Sequence, residues 1–116
     1  MTTPKADDAT IAHALAGLPG WQRSGDELCC TYRFGAFAVA VEFTARIAAV
    51  AEQRQHHPEW TVRHREVEVA TTTHDAGGLT GRDLELAADI AAVATDLAGE
   101  TAHSKHDRAE RAKKRS

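Results

Sequence analysis

The chain has 116 residues, 42% hydrophobic and 27% charged, with a formal net charge of −3. That is the makeup of one ordinary domain whose core is near the small end of what sustains itself, so association with further copies would help it. No run of about 20 apolar residues occurs, which excludes a membrane-spanning helix; Met1 to Thr10 holds Lys5, Asp7 and Asp8 without an apolar stretch, so no secretory signal is read and a cytoplasmic location is expected.

Residues 1–9 read as a flexible N-terminus. A short helix is predicted from about Asp8 to Leu18, with Ile11, Ala14, Leu15 and Leu18 on one side, and Pro19-Gly20 turns the chain away from it. Two strands follow, near Trp21–Arg23 and Leu28–Phe34, separated by the turn cluster Ser24-Gly25-Asp26 and so forming a hairpin. Cys29 and Cys30 are neighbours on the second strand and point to opposite faces, poorly placed to bond each other or share a metal.

From Phe37 to Arg54 the apolar residues Phe37, Ala40, Val41, Ile47, Ala48 and Ala51 recur at helical spacing, with the Thr44 methyl filling a gap, so one face is expected to be buried. Pro58 biases His57 away from helical dihedrals, which ends this helix at about His56 or His57. After Trp60, Val62 to Thr73 is rich in β-branched residues, with Val67 and Val69 alternating, and reads as a strand or a strand pair. His74 then enters the turn Asp75-Ala76-Gly77-Gly78. The last helix is predicted from about Thr80 to Leu97, with Leu84, Ala87, Ile90, Ala91, Ala94 and Leu97 as its apolar stripe and a capping box between Thr80 and Asp83. Helices that separate hairpins rather than single strands argue for an antiparallel sheet with helices on one face.

The chemistry concentrates in His56-His57-Pro58-Glu59-Trp60 and, one strand later, Thr73-His74. A helix end and a strand end can face each other across a cleft and bring together three of the seven histidines. With an unperturbed pKa of about 6.5, imidazole both gives and takes protons near neutral pH. The same residues also fit a plainer role, as helix-end and turn histidines satisfying backbone carbonyls. A zinc site is a sharper rival, but adjacent histidines rarely serve one metal and no carboxylate or thiolate spacing supports it. Gly77-Gly78 before a helix start resembles a phosphate cradle only weakly, and a turn explains it.

In register without a gap, Glu52, His56, His57, Pro58, Glu59, Trp60, Thr73, His74, Gly78, Leu79, Arg82, Asp83, Leu86 and Ala87 match the pattern of the pterin-4a-carbinolamine dehydratases. The resemblance runs more loosely through Leu18-Pro19-Gly20-Trp21, Tyr32, Phe34, Phe37 and Phe43 and covers residues 10–98. It implies an α+β fold of order α-β-β-α-β-β-α, a four-stranded antiparallel sheet with three helices on one face. It further implies dehydration of a 4a-hydroxytetrahydropterin to the quinonoid dihydropterin and water, by general acid–base catalysis without cofactor or metal. His56 and His74 would transfer protons and His57 bind or assist, with Glu52, Trp60, Thr73, Arg82 and Asp83 in support. An aromatic amino-acid hydroxylase would supply the substrate, and the family's dimers and tetramers imply a homo-oligomer. Where the family usually has Asn-Val-Tyr-Asn, this chain has Val62-Arg63-His64-Arg65, so either a bulge re-aims the strand or its edge is solvated. Relatives on this fold also include a coactivator that stabilises transcription-factor dimers and a factor for Rubisco assembly in carboxysomes, so a non-catalytic binding or assembly role is the alternative.

Residues 99–116 form a basic tail, with six basic against two acidic side chains from position 101 onward. Almost nothing there is apolar and larger than alanine, so it reads as disordered or frayed helix. A solubilising terminus is favoured over a nucleic-acid contact, since so few charges bind weakly at physiological salt.

Overall fold

A computed structural model describes residues 3–102. The elements are α1 (Asp8–Ala16), β1 (Gln22–Ser24), β2 (Glu27–Arg33), α2 (Phe37–Arg54), β3 (Glu59–Arg63), β4 (Glu66–Thr71), α3 (Gly81–Asp96) and β5 (Glu100–Thr101), with a 3₁₀ turn at His74–Ala76. The sheet is antiparallel throughout, in the order β1-β2-β4-β3. This is the expected α+β architecture with one strand more, because β5 pairs with β2 at Tyr32 and Arg33. No helix among the described residues is long and apolar enough to cross a membrane. The basic segment beyond position 102 lies outside the described residues.

Alternation along β2 and β4 sets the core. Leu28, Cys30 and Tyr32 on β2 and Val67 and Val69 on β4 are buried. They meet Ile11 of α1, Phe43 and Ile47 of α2, and Leu86 and Ile90 of α3 in one apolar cluster. Phe34 and Phe43 lie 4.8 Å apart between ring centres, and Trp21 donates its indole N–H to the Tyr32 hydroxyl at 2.8 Å. Cys29 and Cys30 do fall on opposite faces, Cys30 buried and Cys29 half-buried, and neither is in a disulfide.

Two helix faces differ from expectation. In α2 the buried set is Ala40, Phe43, Ile47 and Ala51. Phe37 and Val41, read as part of the buried stripe, are 54% and 44% exposed. Ala40, Ile47 and Ala51 of the expected stripe are buried, but the face is rotated towards Phe43 and away from Phe37 and Val41, a rotation that packing against the sheet and α3 decides. In α3, Leu86 is fully buried, whereas Leu84, Ala91 and Leu97 are only partly covered.

The segment Val62-Arg63-His64-Arg65 resolves towards the solvated edge. Pairing between β3 and β4 runs unbroken from Glu59↔Ala70 to Arg63↔Glu66, which leaves no bulge. His64 and Arg65 are the two turn residues, and His64 takes a positive φ of 56°. β3 is an edge strand, so the charge of Arg63 costs little there. β3 also begins at Glu59, earlier than expected, so the paired histidines sit in the short joint between α2 and β3.

Candidate active site

The joint is shaped by how α2 stops. Gln55 adopts a left-handed conformation, φ 53° and ψ 40°. Its N–H bonds the Glu52 carbonyl at 3.2 Å and the His56 N–H bonds the Ala51 carbonyl at 3.0 Å, a Schellman arrangement. Pro58 forbids continuation of the helix and β3 starts one residue later. The His56 ring is thereby turned inward, to 8% exposure, while His57 stays outside.

Inside, His56 meets Asp83. The imidazole Nε2–H donates to Asp83 Oδ1 at 2.7 Å. The Thr71 hydroxyl donates to the same oxygen at 2.7 Å and stands 3.3 Å from Nε2. On the other carboxylate oxygen, Oδ2, converge the Thr73 hydroxyl at 2.6 Å and the Thr80 backbone N–H at 3.0 Å. The Thr80 hydroxyl in turn caps α3, accepting the Arg82 N–H at 3.2 Å, and Thr80 and Asp83 form the reciprocal capping box read from the sequence. Burial pushes the Asp83 carboxyl up, but the hydrogen bonds from Thr73, His56, Thr71 and the Thr80 N–H together outweigh it and hold the group below its ordinary 3.8. A fully buried carboxylate therefore stays ionised beside His56. Its two oxygens are occupied by four donors, which leaves it no freedom to move.

The other expected site residues lie around this pair. His57 contacts Glu52 at 2.9 Å on the exposed surface. Arg82 donates from its guanidinium to the backbone carbonyls of Gln55 at 2.6 Å and Arg54 at 3.4 Å. Trp60 pairs across strands with Val69 and is 36% exposed. His74 opens the 3₁₀ turn and lines an open pocket of about 280 Å³ together with Asp26, Glu27, Thr72, Gly77 and Gly78. His56 and His57 do not line that pocket. The connection runs through Thr73, whose side chain is held by Asp83 while its backbone, bonded both ways to Gly78, starts the turn that carries His74.

Thr71 and Thr72 were missed from sequence. The signal was the run Thr71-Thr72-Thr73 at the end of β4, where strand alternation sends the first and third hydroxyls to Asp83 and the second to the Asp26 carbonyl at 2.5 Å. No three His, Cys, Asp or Glu side chains among the described residues are placed to hold a metal ion.

Comparison with known proteins then fixes the family. Residues 4–93 match the model of the pterin 4 alpha carbinolamine dehydratases. The chain belongs to this family. A relative from Thermomicrobium roseum named "Putative pterin-4-alpha-carbinolamine dehydratase" is 47% identical over 91 residues, 78% of this chain and 98% of the relative. One of the same name from Nocardia farcinica is 47% identical over 90 residues, 78% and 95% of the two chains. Among solved structures, a protein described as a transcriptional coactivator/pterin dehydratase from Brucella melitensis has a TM-score of 0.74 at 32% identity, covering 78% of this chain and 98% of its own. A pterin dehydratase-like protein described as a RuBisCO assembly factor in the alpha-carboxysome shares the fold, with a TM-score of 0.53 at 23% identity over 64% of this chain and 86% of its own.

Proposed function

We propose that the protein is a 4a-hydroxytetrahydropterin dehydratase acting in tetrahydropterin recycling, and that His56, His57 and His74 handle its protons. The observation that carries this reading is the buried pair of His56 with Asp83 at 2.7 Å. Asp83 holds the ring in the tautomer with hydrogen on Nε2, leaving the Nδ1 lone pair as the basic site. In this reading Nδ1 is the nitrogen turned to the substrate, since Nε2 is taken by Asp83. A base oriented and charge-compensated by a buried carboxylate is a recurrent solution for proton abstraction.

Dehydration needs one proton removed and one supplied. His56 Nδ1 takes the proton of the ring nitrogen beside the hydroxylated carbon; that N–H pair becomes the C=N bond, and the C–O bond breaks. An acid protonates the departing hydroxyl, which leaves as water. His74, exposed on its turn beside an open pocket, is the group assigned to that step, with His57 assisting and Glu52 orienting it. Positioned acids and bases contribute roughly 100-fold to 10,000-fold. The substrate would come from an aromatic amino-acid hydroxylase.

The test is the decay rate of a 4a-hydroxytetrahydropterin generated in situ, with wild-type protein and with folded His56→Ala and His74→Ala variants. Acceleration that is lost in the variants supports the assignment. Absence of acceleration by folded wild type refutes it.

A second reading is favoured by a separate observation. Phe37 and Val41 are large apolar side chains left uncovered on α2. We assign this pair to self-association. A Phe37→Glu, Val41→Glu double variant should reduce the subunit number in light scattering while the thermal transition of the subunit persists.

A further inference from the structure

Consecutive residues Arg82 and Asp83, on the first turn of α3, grip consecutive residues of the joint. Asp83 takes the ring of His56 at 2.7 Å, and Arg82 takes the carbonyl of Gln55 at 2.6 Å and that of Arg54 at 3.4 Å. We propose that Arg82 is a positioning residue for His56, acting through the backbone of Gln55 rather than on the substrate; the inference rests on the dehydratase reading for its kinetic part only.

Three observations converge on Arg82. Gln55 is a non-glycine residue in the left-handed region, where a side chain is disfavoured, so that turn needs support from outside the helix. Arg54 and Gln55 carry the last carbonyls of α2 and its left-handed cap, which have no helical N–H to accept and bear the negative end of the helix dipole. Both bonds leave one guanidinium nitrogen, Nη2, the close one to Gln55 at 2.6 Å and a long one to Arg54 at 3.4 Å, and the planar group fixes the direction of that N–H pair more firmly than a freely rotating ammonium would. Without the grip, the ring of His56 would still find Asp83, but its Nδ1 would no longer be aimed by a fixed backbone. The Gln55 side chain already bonds the Glu52 carbonyl at 2.8 Å and cannot replace it.

A structural role and a positioning role separate in a matched comparison. The side chain of Arg54 also ties α2 to α3, pairing with Glu85 at 3.1 Å and with Asp89, yet it touches neither His56 nor Asp83. The experiment compares Arg82→Gln, Arg82→Lys and Arg54→Gln in the full-length protein by steady-state dehydration kinetics, thermal unfolding and proton NMR of the downfield imidazole N–H of His56. The expected result is that Arg82→Gln lowers kcat roughly ten- to hundred-fold with KM within about two-fold, in line with the cost of misplacing a reacting group. Its His56 N–H signal broadens through exchange. Arg82→Lys recovers part of both, and Arg54→Gln leaves kcat and the signal unchanged whatever its effect on melting. Equal loss of kcat in Arg54→Gln, a change in KM alone, or an unaltered His56 signal in Arg82→Gln would overturn the assignment. If wild-type protein does not accelerate dehydration, the catalytic reading fails by itself, and the NMR comparison still decides whether Arg82 positions the ring.

Discussion

Replacing Asp83 by Asn changes one oxygen to an NH₂ group and leaves shape and volume almost untouched, so its consequences report hydrogen bonding and charge rather than packing. Asp83 accepts four bonds: at Oδ1 from His56 and Thr71, at Oδ2 from Thr73 and the Thr80 N–H. The backbone N–H of Thr80 cannot reverse, so the amide must keep its oxygen there and turn its NH₂ towards His56 and Thr71. A threonine hydroxyl rotates and accepts at little cost. The imidazole also adapts, by moving its proton from Nε2 to Nδ1, and so presents the wrong nitrogen to the substrate. The fold therefore keeps its four contacts but loses the charge-assisted character of them, a loss of about 1–3 kcal/mol. At roughly 4–8 °C per kcal/mol for a domain near 100 residues, the melting temperature should fall measurably without loss of cooperative unfolding. Activity should fall far more, by roughly 100-fold to 10,000-fold, because the basic lone pair is no longer available. Urea unfolding and carbinolamine decay on the same preparations separate the two effects. An Asp83→Asn variant that folds and retains kcat within a factor of about three would refute the tautomer argument.

Three further outcomes follow from the same geometry. Because the folded-state pKa of Asp83 lies below its ordinary 3.8, its contribution to stability is fully present above that value and is lost as pH falls through the lower folded value; acid unfolding should therefore steepen below about pH 4, and Asp83→Asn should flatten that part of the curve. A Cβ on Gly99 would stand 2.5 Å from Phe34 Cε1, so Gly99→Ala should cost about 1–3 kcal/mol through overpacking, measured by denaturant midpoint. Burial pushes the Cys30 thiol up to about 12, so at pH 8 a thiol reagent should leave Cys30 unmodified in the folded protein and react with it only after unfolding, as mass spectrometry of the labelled peptide would show.

The fold was legible wherever a local rule and the tertiary outcome agree. Pro58 placed the end of α2 within two or three residues of its observed end at Arg54, Ser24-Gly25-Asp26 made the first hairpin, with Gly25 at a positive φ of 61°, and Thr80 with Asp83 made the cap. What was not legible depended on rotation or on distant partners. Whether Phe43 or Phe37 and Val41 flank Ala40, Ile47 and Ala51 on the buried face of α2 is a rotation of the helix about its axis, and both flanks are apolar. β5 was invisible because two residues carry no periodicity; it exists because Tyr32 and Arg33 extend past the short β1 and offer an unpaired edge. His56, His57 and His74 stand out in the sequence by spacing, but their gathering in one cleft was not legible there, and His74 lines a pocket that His56 and His57 do not. Thr71 did not stand out, because a threonine at the end of a strand looks the same whether its hydroxyl meets a carboxylate or water.

Asp83 also shows why a capping residue and a site residue need not be alternatives. A capping box fixes its N3 carboxylate against the backbone of the N-cap, and here that leaves the second oxygen pointing at the joint that follows α2. The backbone N–H of Thr80 and the hydroxyl of Thr73 hold Oδ2, so the direction of Oδ1 is set by the start of α3 and the end of β4 together. The carboxylate is rigid before any ligand arrives. For a proton-transfer group that matters more than depth of burial, since an orienting partner that can swing away gives up the advantage of a fixed donor and acceptor geometry. The structural reading of Asp83 as a helix cap was correct, and it is through that cap that Asp83 is aimed at His56.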